Sequence, residues 1–145
     1  MRALLDVNVL ISLFDPDHAF HSRARNWWDA NAEGGWATCP LTENGVIRII
    51  TNRAYSAAVR FSAEEVLDCF RGLIDQSDHQ FWPDSISFRD GALFHPDRLH
   101  SSPALTDLYL LALAVRNRGT LVTFDNNIPL TPVIGATPAN LTLLR

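Results

Sequence analysis

Short apolar runs alternate with longer helix-patterned segments along the whole chain, and this alternation constrains the fold more than any other feature. The runs ALLDV (3–7), GWATCP (35–40), HQFWPD (79–84, ending at Pro83), TLVTFD (120–125) and LTLL (141–144) have the length and flanking turn residues of buried strands. Between them lie segments that read as helices: one beginning at VLISLF (9–14), His18–Ala32, LTENGVIRIITN (41–52) and EEVLDCFRGLIDQ (64–76). Ser62 is the expected N-cap of the last, with Glu64 and Glu65 in its acidic first turn. SFRDGALF (87–94) reads as a short helix. Ser102 followed by Pro103 opens a helix to about Asn117, with Gly119 as its stop and Pro129–Pro138 as a loop beyond. Such alternation predicts a three-layer α/β fold, a mainly parallel central sheet flanked by helices. At 145 residues without linker or repeat, the chain reads as a single domain, 1–145.

The N-terminal MRALLDVNVLISLF is apolar, but Asp6 and Asn8 interrupt it and no small-residue cleavage site follows. It reads as a strand running into a helix, and the protein as cytoplasmic with no membrane segment. Cys39 and Cys69 form no metal-binding pair and read as buried thiols. All 12 basic residues are arginine, so every mechanism that needs a lysine is excluded. The net charge of −4 argues against a non-specific nucleic-acid coat, although two divalent cations would cancel it.

Acids are the chemically informative residues. Asp6 ends the first strand and Asp125 the fourth; in open α/β sheets the functional crevice lies at the carboxyl ends of strands. Each has an ordinary alternative, a helix N-cap for Asp6 and a turn initiator before Asn126 and Asn127 for Asp125. Asp107 is harder to explain as structural, because Leu110, Leu111 and Ala114 share its helix face. Glu43 repeats the pattern with Val46, Ile47 and Ile50, although an acid in a first turn is also ordinary. A carboxylate on an apolar stripe is costly unless paired or metal-bound, and oxygen ligands suit Mg²⁺ or Mn²⁺.

With these residues in order, the sequence resembles the PIN-domain family and, within it, the VapC toxins of bacterial toxin–antitoxin pairs. The resemblance is carried by LLDVNVLISLF, LTENGVIRII, ALTDLYLLALAVRNRGTLVTFDNNIPL and PANLTLL. The family's four acids fall on Asp6, Glu43, Asp107 and Asp125, with a polar companion at Asn8, which we expect to fix Asp6 from behind. The resemblance implies a Mg²⁺-dependent endoribonuclease, with Mn²⁺ as a possible substitute. It also implies an RNA substrate, a VapB-like antitoxin and a homodimer. Asp6 and Asp125 are the first expected metal ligands. Arg48, Arg89 and Arg98 are the arginines considered for phosphate contact, and Thr106 and Thr123 are weaker site candidates. Two alternatives are weighed: a non-catalytic PIN-like scaffold that binds RNA or protein, and an Asp-based phosphotransfer protein. The second normally needs the lysine this chain lacks.

Overall fold

The computed structural model describes residues 1–58 and 60–145. Five strands, β1 (Ala3–Leu5), β2 (Trp36–Thr38), β3 (His79–Phe81), β4 (Thr120–Thr123) and β5 (Leu141–Leu143), form one sheet. Its order is β3-β2-β1-β4-β5, and every neighbouring pair is parallel. All three residues of β1 and of β2 are buried, which explains why β1 is continuously apolar and why β2 carries no polar residue but Thr38. The edge strand β3 is largely exposed.

Helices α1 (Val7–Phe14), α2 (His21–Asn31), α3 (Pro40–Ile50) and α4 (Ala63–Asp75) cover one face. There Phe14, Trp28, Val46, Ile50 and Phe70 pack with Ala3, Leu5, Trp36 and Val122 of the sheet. Helix α5 (Leu105–Arg116) covers the other face, packing Leu108 to Ala114 against Leu4, Ala37 and Leu121. The two cores use alternate residues of the same strands, as the pleat requires. The chain winds from β1 outward to β3, then returns through α5 to β4 on the far side of β1. The topological switch point therefore lies between the carboxyl ends of β1 and β4, where such folds place their crevice.

Several boundaries differ from the sequence reading. The segment 87–94 is a series of turns, not a helix. Ser87 Oγ accepts from the Arg89 amide and Asp90 Oδ1 from the Ala92 amide, so side chains take the bonds a helix would need. Helix α2 starts at His21, not His18, because His18 Nδ1 accepts from the Phe20 amide in a local turn. Helix α3 runs from Pro40 to Ile50, with Cys39 as its N-cap and Thr42 Oγ1 accepting from the Cys39 amide at 3.0 Å. Ser102 is not a helix cap: Ser102–Ala104 form a single 3₁₀ turn, and α5 proper begins at Leu105.

The stop after α5 is also reassigned. The left-handed residue is Arg118, at φ 57°, and not Gly119. Arg118 N–H donates to Val115 O and Gly119 N–H to Ala114 O at 2.7 Å, the paired bonds of a Schellman cap. Gly119 is instead required by space, since a Cβ there would stand 2.5 Å from the Arg2 carbonyl oxygen. Ser62 does cap α4, accepting from the Glu65 amide at 3.1 Å.

Candidate active site

At the switch point a cavity of about 500 Å³ opens between α1, α3 and α5. Asp6, Asp107 and Asp125 all line it. Asp6 leaves β1 and is only 6% exposed. It does cap α1, its Oδ1 accepting from the Val7 amide at 2.7 Å. Its Oδ2 accepts from the Thr123 hydroxyl at 2.7 Å. Asp125 follows β4 by two residues and does hold a turn, accepting from the Asn127 amide at 2.8 Å. The ordinary duties read from the sequence are thus real for both residues, and both also face the cavity.

Thr123 joins the pieces. Its one hydroxyl proton goes to Asp6, so the oxygen accepts from the Asp125 amide at 3.0 Å and from Asn8 Nδ2 at 3.4 Å. Asn8 lines the cavity beside Asp6, but the bonds its side chain makes run to Thr123 and to the Phe124 amide rather than to Asp6 itself. The sequence carried one signal for Thr123, a hydroxyl-bearing residue two positions before a strand-end acid.

Asp107 enters from the opposite layer, in the first turn of α5. Burial pushes its pKa up to about 6, helped by the charges of Asp6 and Asp125 and by a hydrogen bond shared with Asp125. Burial also raises Asp6, and the Asp125 charge adds to this against the bonds from Thr123 and Val7. The aspartates therefore sit in an arrangement that disfavours full ionisation of the set.

Glu43 is not among the residues that line this cavity. Leu41, Gly45, Arg48 and Ile49 make the α3 wall of the cavity, while Glu43 lies on the stripe with Val46 and Ile50, which pack into the core against α1 and α4. Its Oε2 accepts from Thr38 Oγ1 at 2.5 Å, and Thr38 Oγ1 is 2.8 Å from His79 Nε2. The apolar stripe around Glu43 was visible in the sequence; which side of α3 it faced was not. Among the described residues, no three His, Cys, Asp or Glu side chains stand close enough together to hold a metal ion as placed.

Of the three arginines considered, Arg48 is on the cavity wall, while Arg98 donates to the Thr131 carbonyl beside a separate hollow. Thr106 also lines the cavity. Two lining residues were not anticipated. His18 sits on the wall with Nδ1 turned to the Phe20 amide, and Tyr55 donates to Asp15 at 2.5 Å. No spacing rule links Tyr55 to Asp15, because their contact depends on how the segment after α3 folds back.

The sequence matches the family model described as PIN domain over residues 3–133. The chain belongs to the PIN-domain family. This PIN domain is 44% identical to Ribonuclease VapC44 of Mycobacterium tuberculosis over 144 residues, covering 99% of the chain and 100% of that relative. It is 39% identical over 125 residues to Ribonuclease VapC39 of the same organism, covering 86% of the chain and 89% of the relative. In three dimensions it is similar to VapBC2 from Rickettsia felis, solved bound to a DNA fragment from the promoter. There the TM-score is 0.58 at 18% identity, over 99% of this chain and 97% of that one. Among the described residues of this PIN domain, no helix is long and apolar enough to cross a membrane.

Proposed function

We propose that the chain is a divalent-cation-dependent endoribonuclease, the toxin of a VapBC-type toxin–antitoxin pair. The observation that carries this reading is the convergence of Asp6, Asp107 and Asp125 on one cavity from three different elements. The likeness to Ribonuclease VapC44 over essentially the full chain supports it. The donor set fits a hard cation: it offers carboxylate oxygens, two of the acids are shifted upward by burial and mutual charge, and among the described residues Arg48 is the one arginine lining the cavity with them. Asp6, Asp107 and Asp125 are the residues that would hold Mg²⁺ or Mn²⁺. Such a cation supplies stabilisation of charge on phosphoryl oxygens. Glu43 is proposed with them on the strength of its family position; in the fold its carboxylate is held by Thr38.

The protein's own residues have separable tasks. Thr123 fixes the rotamer of Asp6 and the backbone of Asp125 together. Arg48, exposed on the wall and outside the ion pairs Arg2–Asp78, Arg25–Asp29 and Arg71–Asp68, supplies a fork for phosphate oxygens. The rim carries Leu41 and Ile49, exposed by 37% and 39%, an apolar edge suited to an antitoxin segment or to a second copy in a homodimer.

The test is cleavage of RNA by the purified protein. Mg²⁺ or Mn²⁺ should support it, EDTA should abolish it, and products should end in 5′-phosphate and 3′-hydroxyl. Cation-independent cleavage, or 2′,3′-cyclic phosphate ends, would refute the mechanism. Growth arrest on expression, relieved by co-expressing the antitoxin, tests the toxin role.

A further inference from the structure

Beside the aspartate cavity lies a second, basic hollow of about 570 Å³, lined by Arg23, Phe124, Asn126, Leu143, Leu144 and Arg145. The two hollows are joined by a row of rings. His18, on the wall of the aspartate cavity, stands 5.7 Å from Phe20, and Phe20 stands 4.8 Å from Phe124 at an interplanar angle of 36°. The Arg23 guanidinium lies over the Phe20 ring at 5.0 Å. Phe20 is 37% exposed. Arg23 is in none of the ion pairs found among the described residues, and neither is Arg145. Phe124 and Asn126 flank Asp125 in the chain, which places this surface immediately beside the acids.

An exposed ring, a planar guanidinium stacked on it and a further arginine outside the ion pairs among the described residues match the chemistry of an unpaired nucleotide, whose base needs a stacking surface and whose phosphate needs a cation. We propose that Phe20, Arg23 and Phe124, with Asn126 and Arg145 beyond them, form a single-stranded-RNA subsite. It receives a nucleotide adjoining the one at the aspartates. RNA is favoured over a protein segment by the charge complementarity and by the continuity with the cavity that faces the scissile bond. The inference rests on the ribonuclease reading for its substrate, but binding tests it separately from catalysis.

The experiment measures fluorescence anisotropy of an end-labelled single-stranded RNA oligonucleotide with the protein in EDTA, so that no cleavage is required. Wild type should bind single-stranded RNA more tightly than the same sequence as a duplex. Phe20→Leu keeps apolar contact with Phe124 but removes the ring, and should weaken binding about tenfold. Arg23→Gln should weaken it comparably and reduce the slope of log Kd against log salt by about one. Arg71→Gln, whose partner Asp68 is on the exposed side of α4, is the control and should bind as wild type does. Thermal melts report folding; if Phe20→Leu does not fold, Arg23→Gln, on an exposed helix face, decides alone. Variants that bind like wild type overturn the subsite even if wild type cleaves RNA, as does a metal-free wild type that binds no RNA. Loss of binding in the variants with no cleavage by wild type leaves the subsite standing and removes the nuclease reading. Unchanged RNA binding with loss of a co-expressed antitoxin assigns the surface to the protein partner and overturns the proposal.

Discussion

Asp6 and Asp125 each do an ordinary structural job while facing the cavity, and Asp107 does not. The first caps α1 and the second holds a turn, so removing either charge disturbs local backbone as well as chemistry. Asp107 sits half-buried among like charges, pushed up to about 6. Asp107→Asn is therefore the informative substitution. Without divalent cation, the variant should be as stable as wild type or more stable, by about 1 kcal/mol after discounting for solvent screening, while cleavage is lost. Thermal melts with and without Mg²⁺ check this, and a clearly destabilised variant in EDTA would make Asp107 a structural acid. Asp6, Asp107 and Asp125 line one cavity because two strand ends and the first turn of α5 constrain where these side chains point. Glu43 does not line that cavity and is held by Thr38, since helical periodicity fixes which residues share its face but not which neighbour that face meets. Thr123 was undervalued for a related reason: a strand threonine is ordinary until the strand beside it is known.

At the scale of elements, the strands and long helices were legible because their apolar periods are strong. Two of the failures, at 87–94 and at His18, fall where side chains bond locally to backbone. Pattern rules see composition there but not the competition between turn and helix. The end of α5 is the clearest case. A glycine after a helix suggests a left-handed cap, yet Arg118 takes that conformation and Gly119 is held in place by neighbours. A methyl group at Gly119 would meet the Arg2 backbone oxygen at 2.5 Å and the Trp82 ring at 2.8 Å. Backbone cannot swing aside, so Gly119→Ala should cost about 2 kcal/mol or more. Gly72, inside α4, meets nothing within 4 Å, and Gly72→Ala should gain about 0.5–1 kcal/mol. Denaturant titration of the two variants should move the midpoints in opposite directions. Equal destabilisation would mean that helix α4 is not formed as described.

For the whole molecule, the upward shifts of Asp107 and Asp6 fix the sign of a pH dependence. An acid whose pKa rises on folding binds more protons in the folded state, between its ordinary value of 3.8 and the folded value of about 6 for Asp107. Its contribution is therefore most favourable below this range and is lost as pH rises through it. Cation binding needs the same carboxylates ionised, so the gain in Tm on adding Mg²⁺ should grow over that interval. The half-buried His79, whose pKa is lowered chiefly by desolvation, tilts stability the other way. Subtracting the Asp107→Asn curve from wild type across this range isolates the aspartate. A difference curve in EDTA that rises with pH would contradict the assigned crowding.

The pairing of β1 with β4 also sets when the crevice can exist. Asp6 is synthesised 117 residues before Thr123, the hydroxyl that orients it. On the ribosome, β1, β2 and β3 can all emerge while one side of β1 still lacks its neighbour. Asp107 and Asp125 arrive only with the late segment that closes that side. An interrupted or half-made chain carries the first acid and nothing for it to work with. If the chain is the ribonuclease proposed above, this order of assembly leaves it harmless to the machinery translating it until β4 has been made and docked.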